Sequence, residues 1–236
     1  METVQQLEAR AGELRQQGQL AECRQTLEQA IRLAKTRQPQ DLAELARLIN
    51  NLGFVAREMA DHKNAEQFFQ LALSLERRLG DPDNPEMAIT LQHVGRYAHW
   101  RQDFDTSWKC WSEALEIWKR VVFGKKQFGY SIYLASALHA LGEFFADTGK
   151  FDDARQNFEQ ALSVRENILP PGHPDIIENL GNLGKLCAYL KDFPAARTYL
   201  RRAVPLYLKE LGPNHDETQQ LQNLLRQAET YLAKVN

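Results

Sequence analysis

Residues 141–161 read LGEFFADTGKFDDARQNFEQA. Gly142 is followed twelve residues later by Ala154 and seven after that by Ala161, with Phe151 three residues before Ala154. The same spacings hold for Gly53, Ala65 and Ala72, with His62 at the aromatic place, and for Gly95, Ser107 and Ala114, with Phe104. They hold again for Gly184, Ala196 and Ala203, with Phe193, and for Ala11, Cys23 and Ala30, with Leu20. The first anchors fall at 11, 53, 95, 142 and 184, in steps of 42, 42, 47 and 42 residues. Five copies at a near-constant step indicate a stack of repeats, none of which can bury its apolar face alone.

Within each copy apolar residues recur at three and four, the period of an amphipathic helix. Leu45, Ile49, Leu52, Ala56 and Met59 share one face of a first helix, and Phe68, Phe69, Ala72, Leu73 and Leu75 mark a second. Small anchors let crossing helices approach closely, where a larger side chain would overpack by about 1–3 kcal/mol. Short turns (QQGQ, MADH, RQDF, DTGK, LKDF) join the paired helices. Pro39, DPDNPE (81–86), PPGHPD (170–175) and GPNHDE (212–217) separate the copies. Asp or Asn before a helix predicts an N-cap. The extra residues of the longer step lie around VFGKKQFGY (122–130), and Pro205, lacking a backbone donor, predicts a kink in its helix.

The expected fold is therefore all-α, an α-solenoid of five antiparallel helix pairs at about 2–38, 39–83, 84–123, 127–172 and 173–213. A capping helix at 215–234, with Leu221, Leu224, Leu225, Ala228 and Leu232, closes the stack. With no linker rich in Pro, Gly or Ser, residues 1–236 read as a single domain.

These anchors resemble the tetratricopeptide repeat, whose L-G, alanine, aromatic and alanine fall at these offsets. Leu52-Gly53, Leu141-Gly142 and Leu183-Gly184 carry the resemblance, with Val94-Gly95 as a variant. The usual repeat has 34 residues; 42 adds about one turn to each helix. The longer form, in NNLGFVAREMADHKNAEQFFQLALSLERRLG and HPDIIENLGNLGKLC, is similar to the repeats of kinesin light chains. The resemblance implies a right-handed superhelix with a protein- or peptide-binding groove lined by the first helix of each pair. It also implies that Asn51 and Asn182 can bond a ligand backbone, although His93 and Ala140 break that ladder. The carboxylate clamp of related chaperone-binding repeats is incomplete.

Positions six and three before each anchor, and one, four and five after it, lie away from the apolar stripe. They place Arg47, Asn50, Phe54, Arg57 and Glu58 together, then Ile89, Gln92, Arg96, His99 and Trp100. The fourth and fifth copies contribute Ser136, His139, Glu143, Ala146 and Asp147, then Glu178, Gly181, Lys185, Ala188 and Tyr189. The expected peptide-binding set is Arg47, Asn50, Asn51, Phe54, Arg57, Gln92, Arg96, His99, Trp100, His139, Glu143, Lys185 and Tyr189. Arginine grips carboxylates through paired hydrogen bonds, and groove aromatics anchor side chains. The expected ligand is an extended peptide with acidic and apolar residues, its acid toward Arg57 and Arg96.

Composition narrows the alternatives. Net charge is −2, with no basic stripe for nucleic acid, and no apolar run is long enough to enter a membrane as a span. METVQQLEAR has no secretion-signal pattern, and Cys23, Cys110 and Cys187 have no zinc spacing. They read as reduced apolar fillers, and a cytoplasmic location is expected. There is no P-loop, GxGxxG, GxSxG or HExxH, and helical packing explains GNLGK (181–185). The expectation is no enzyme, no catalytic residue, no cofactor and no metal set, with His173 and His215 as helix caps. Trp111 reads as core, while Trp108 and Trp118 read as packing beside the insertion or as an association surface. The alternatives are a self-associating homo-oligomer using the Trp-rich third repeat or the end helices, and a sensing or docking module for a separate signalling or ATPase partner.

Overall fold

The computed structural model describes residues 2–37 and 39–235; Met1, Gln38 and Asn236, which end the first expected repeat and the chain, lie outside the described residues. Among the described residues there are eleven α-helices and no strand. The chain divides into two compact units, 1–124 and 125–236, and the division falls inside the 122–130 insertion. The N-terminal unit holds α1 (Val4–Gln16), α2 (Leu20–Thr36), α3 (Leu42–Glu58), α4 (His62–Leu79), α5 (Pro85–Trp100) and α6 (Phe104–Lys119), then a π-helical turn, Arg120–Gly124. The C-terminal unit opens with a 3-10 turn, Phe128–Tyr130. It continues with α7 (Ser131–Asp147), α8 (Phe151–Ile168), α9 (Pro174–Tyr189), α10 (Phe193–Glu210) and α11 (Asp216–Val235). Each odd helix packs on its even partner, and α11 packs on α10 and α9 as the expected cap.

The anchors are where paired helices touch. A Cβ on Gly53 would lie 2.8 Å from the Phe69 ring, one on Gly95 2.7 Å from Trp111, one on Gly142 2.6 Å from Phe158 and one on Gly184 2.5 Å from Leu200. The blocking side chain always stands sixteen residues after its glycine. The other anchors, from Ala65 and Ala72 to Ala196 and Ala203, are fully buried. In the first repeat, where Ala11 replaces glycine, the Cys23 thiol donates to the Ala11 carbonyl at 3.1 Å.

Local signals fix the ends. Asp41, Asp61, Asn84, Asp103 and Asp192 each accept a first-turn backbone N–H through the side chain, satisfying donors that the helix leaves open. His173 and His215 do the same through Nδ1, at 3.2 and 3.3 Å, as caps. The residue seven after each anchor is left-handed: Gly18, Ala60, Gln102, Gly149 and Lys191. Only two are glycine, so the register, rather than residue preference, imposes that turn. Arg24 reaches Asp61 at 3.4 Å and Arg155 reaches Asp192 at 2.8 Å, the same offsets in two different repeats.

Helix α10 continues unbroken through Pro205. Trp111 is buried as expected, donating to the Gln92 backbone carbonyl at 3.1 Å. Trp118 is fully buried and donates to Gln92 Oε1 at 3.0 Å, which removes it from any association surface. All three cysteines are free and buried, and burial pushes the Cys110 and Cys187 thiols up to about 11. No described helix is long and apolar enough to cross a membrane.

Gly142→Ala should lower stability by about 1–3 kcal/mol, because the Phe158 ring is in the way. Gly12→Ala meets nothing within 4 Å and should instead add about 0.5–1 kcal/mol of helix preference. Urea unfolding of both variants checks the sign of each.

Candidate functional site

In the N-terminal unit, cross-links tie the first helices side by side. Arg47 of α3 forks onto the Glu8 carboxylate of α1 at 2.8 Å through both nitrogens, and Asn51 donates to the same carboxylate at 3.2 Å. Two turns along, Arg15 of α1 grips Glu58 at 3.0 Å through Nε and 2.5 Å through Nη2. That grip holds the Glu58 carboxyl below its ordinary value. Phe54 lies between two cations, with the Arg15 and Arg57 guanidinium carbons each 5.4 Å from its ring centre. Its edge meets Phe69 at 5.5 Å and His93 at 4.7 Å, and His93 stacks on Phe69 at 4.6 Å.

This arrangement settles the charges. Burial first, then Arg57 and Arg96, hold His93 down to about 3, so its imidazole is neutral; Nδ1 is buried without a hydrogen-bond partner. Burial, then the like charge of Arg96, draws the half-buried Arg57 below its ordinary value. Among the described residues neither Arg57 nor Arg96 hydrogen-bonds or ion-pairs with a carboxylate; the Arg57 guanidinium lies over the Phe54 ring. Tyr97, beside them, is buried and its hydroxyl has no partner. Trp100 is 69% exposed and meets His62 edge-on at 5.5 Å.

The C-terminal unit presents the opposite sign. Glu143, Asp175, Glu178, Glu210 and Glu217 line a cavity of about 470 Å³, with Asn182, Tyr207 and apolar side chains between them. Lys185 is held by Glu217 at 2.5 Å, and Tyr189, exposed, packs on Phe151 at 5.0 Å. Burial, then Glu217, push the Tyr207 hydroxyl above its ordinary value. His139 is 6% exposed. Its Nδ1 lies 3.2 Å from both Asn179 Oδ1 and Arg165 Nη1, and its Nε2 lies 3.5 Å from Glu143 and 3.8 Å from Glu178.

Two expected groove residues need correction. Helical phase puts Asn50 and His139 on the open face, but both are buried. Gln92 at the same offset is half-buried and Gly181 is buried. Three residues before the anchor, a side chain enters the seam between successive first helices, which a single-helix phase does not register. There it meets the residue 39 positions on: Glu8 meets Arg47, and His139 meets Glu178. The same step from Asn50 leads to Ile89, which has no hydrogen-bonding side chain, and Asn50 Oδ1 is left without a partner. His99 is half-buried against Phe104 and Trp111. Glu8 and Glu217 are the partners that phase alone missed, and the 39-residue step would have found the first; phase gives Glu178 but not its meeting with His139.

Neutral His93 makes stability pH-dependent. Its folded value lies below the ordinary 6.5, so stability present above pH 6.5 is lost as pH falls toward 3, at up to about 1.4 kcal/mol per pH unit. Buried Glu76, raised to about 7, has the opposite slope between about 4.5 and 7 and cancels between variants. Between pH 7 and 5, urea unfolding should show wild type losing about 2 kcal/mol more than His93→Phe, whose ring keeps the stack.

The comparisons agree with this geometry. The family model described as tetratricopeptide repeat matches residues 44–103 and 133–209, more than half of the chain. Clustered mitochondria protein homolog of Ajellomyces capsulatus (strain NAm1 / WU24) is 23% identical over 184 residues, covering 78% of this chain and 14% of that protein. The chain thus spans a small part of that relative's length. BtubC from P. vanneervenii, a crystal structure, superposes with a TM-score of 0.75 at 22% identity, over 90% of this chain and 83% of that one. The kinesin light chain TPR-like repeats of Podosopora anserina superpose at 0.66 with 14% identity, over 89% and 98%. At these identities the likeness is one of fold, and the fold is typically a non-catalytic scaffold. With one glycine–side-chain register repeated through both units and the family model matching across them, the chain belongs to the tetratricopeptide repeat family, whose repeats generally mediate protein–protein interaction.

Proposed function

We propose that the chain is a non-enzymatic scaffold or adaptor that takes an acidic and apolar segment of a partner protein on the first-helix face of its N-terminal unit. One observation carries the reading: Arg57 and Arg96 are neighbouring cations without a carboxylate, while Arg15 and Arg47 on the same face are each forked onto a glutamate. Like charges side by side, one of them half-buried, are costly until an anion arrives. A partner carboxylate supplies that anion and bonds both guanidinium edges. Phe54, against Arg57, and the exposed Trp100, one helical turn after Arg96, offer apolar surface to neighbouring side chains. Arg47, Asn51 and Lys185 are engaged within their own units and contribute little to this contact. The three free, buried thiols support a reducing, cytoplasmic setting.

Partner capture from source-cell lysate by wild type and by Arg96→Glu/Trp100→Ala tests this, once circular dichroism shows both folded. The captured partner should lose at least tenfold in affinity for the variant, and wild-type binding should weaken as salt rises. A partner held equally by both chains places the interface elsewhere and overturns the reading. Recovery of the chain alone would favour self-association.

A further inference from the structure

The C-terminal unit carries a second site of different chemistry. We propose that His139, Glu143 and Glu178 together bind one divalent transition-metal ion of the zinc class. Their ligand atoms all lie within 4.8 Å of one another. The imidazole-to-carboxylate distances, 3.5 and 3.8 Å, are close to the spacing of about 3.4 Å between two ligands around tetrahedral zinc with bonds of ~2.0–2.1 Å. Both carboxylate arms are about half exposed, so a small rotation closes the remaining gap.

The buried histidine points to an ion rather than to a chance acidic patch. His139 is 6% exposed, and its Nε2, facing the two carboxylates, is buried without a hydrogen-bond partner. The other side of the ring fixes its tautomer. Arg165 Nη1 has two hydrogens, and both are used: one to Asn179 Oδ1 at 2.8 Å, one to the Asp175 carbonyl at 2.9 Å. Asn179 is oriented by its own donation to the Phe158 carbonyl at 2.8 Å. Nδ1 therefore keeps its hydrogen and points it at Asn179 Oδ1. Nε2 therefore presents its lone pair toward the two carboxylates, the orientation that a ligating imidazole takes. Outer-sphere support of a ligating imidazole by such a bond is the usual companion of a metal site.

The donor set selects the ion. Two carboxylates neutralise a double charge, and an imidazole favours zinc-like ions over magnesium or calcium, which take oxygen ligands. Three protein ligands leave a coordination position open, and Glu143 and Glu178 also line the 470 Å³ cavity. The set is one helical turn, His139 to Glu143, joined to Glu178, 39 positions after His139, a spacing unlike HExxH or paired-cysteine zinc motifs.

The full, tag-free chain is stripped with a chelator and titrated calorimetrically with zinc chloride; cobalt(II) is added separately to follow its visible absorption. One ion per chain is expected, with a rise in thermal midpoint, and Glu143→Gln and Glu178→Gln should each weaken binding at least tenfold. Both changes are at exposed carboxylates and spare the buried His139–Asn179–Arg165 network, so circular dichroism should be unchanged. No saturable binding by wild type overturns the proposal. Wild-type affinity retained in both variants also overturns it, placing the ion elsewhere.

Discussion

The missing Cβ at one position per repeat is the constraint on which the fold rests. Where Gly53, Gly95, Gly142 and Gly184 stand, a ring or a leucine from the second helix occupies the space a side chain would need. Contact this close sets how far apart the paired helices lie and which faces meet. The identity of the filling group varies (phenylalanine, tryptophan, leucine), but its offset does not. The insertion at 122–130 lengthens one step and leaves this register intact on either side.

Once the pairs are fixed, the first helices within each unit meet along a seam, and that seam decides which charges are paired. A charged residue entering it is neutralised by the next repeat, as Glu8 is by Arg47. A residue just outside it can remain uncompensated, as Arg57 and Arg96 are in the N-terminal unit. His93, stacked on Phe69 below them, stays neutral because burial and those two charges act in the same direction. Carboxylates dominate the corresponding face of the C-terminal unit. One backbone pattern therefore carries two opposite chemistries.

Most of the fold was legible because its signals are local or periodic. Glycine and alanine spacing marked the contacts, and Asp41, Asp61, Asn84, Asp103 and Asp192 marked helix starts. The site was legible only in part. Helical phase puts Arg57, Arg96 and Trp100 on the outer side of their helices, and the structure leaves Arg96 and Trp100 exposed and Arg57 half-buried. It fails for Asn50 and His139 because it treats a helix as packed on one partner, whereas these helices pack on several. It also cannot see that Lys185 is occupied, since Glu217 belongs to the capping helix and follows no repeat spacing. Trp118 misleads for a related reason: its partner is a glutamine side chain 26 residues away, Gln92, on the paired helix.

The four tryptophans, 100, 108, 111 and 118, all lie in the third repeat, and hence within residues 1–124. Their emission is an intrinsic optical label on half of the molecule. Fluorescence reports the melting of the N-terminal unit, while helical ellipticity reports both units. A single denaturation series read by the two signals thus distinguishes one cooperative transition from two, without any added dye or engineered probe.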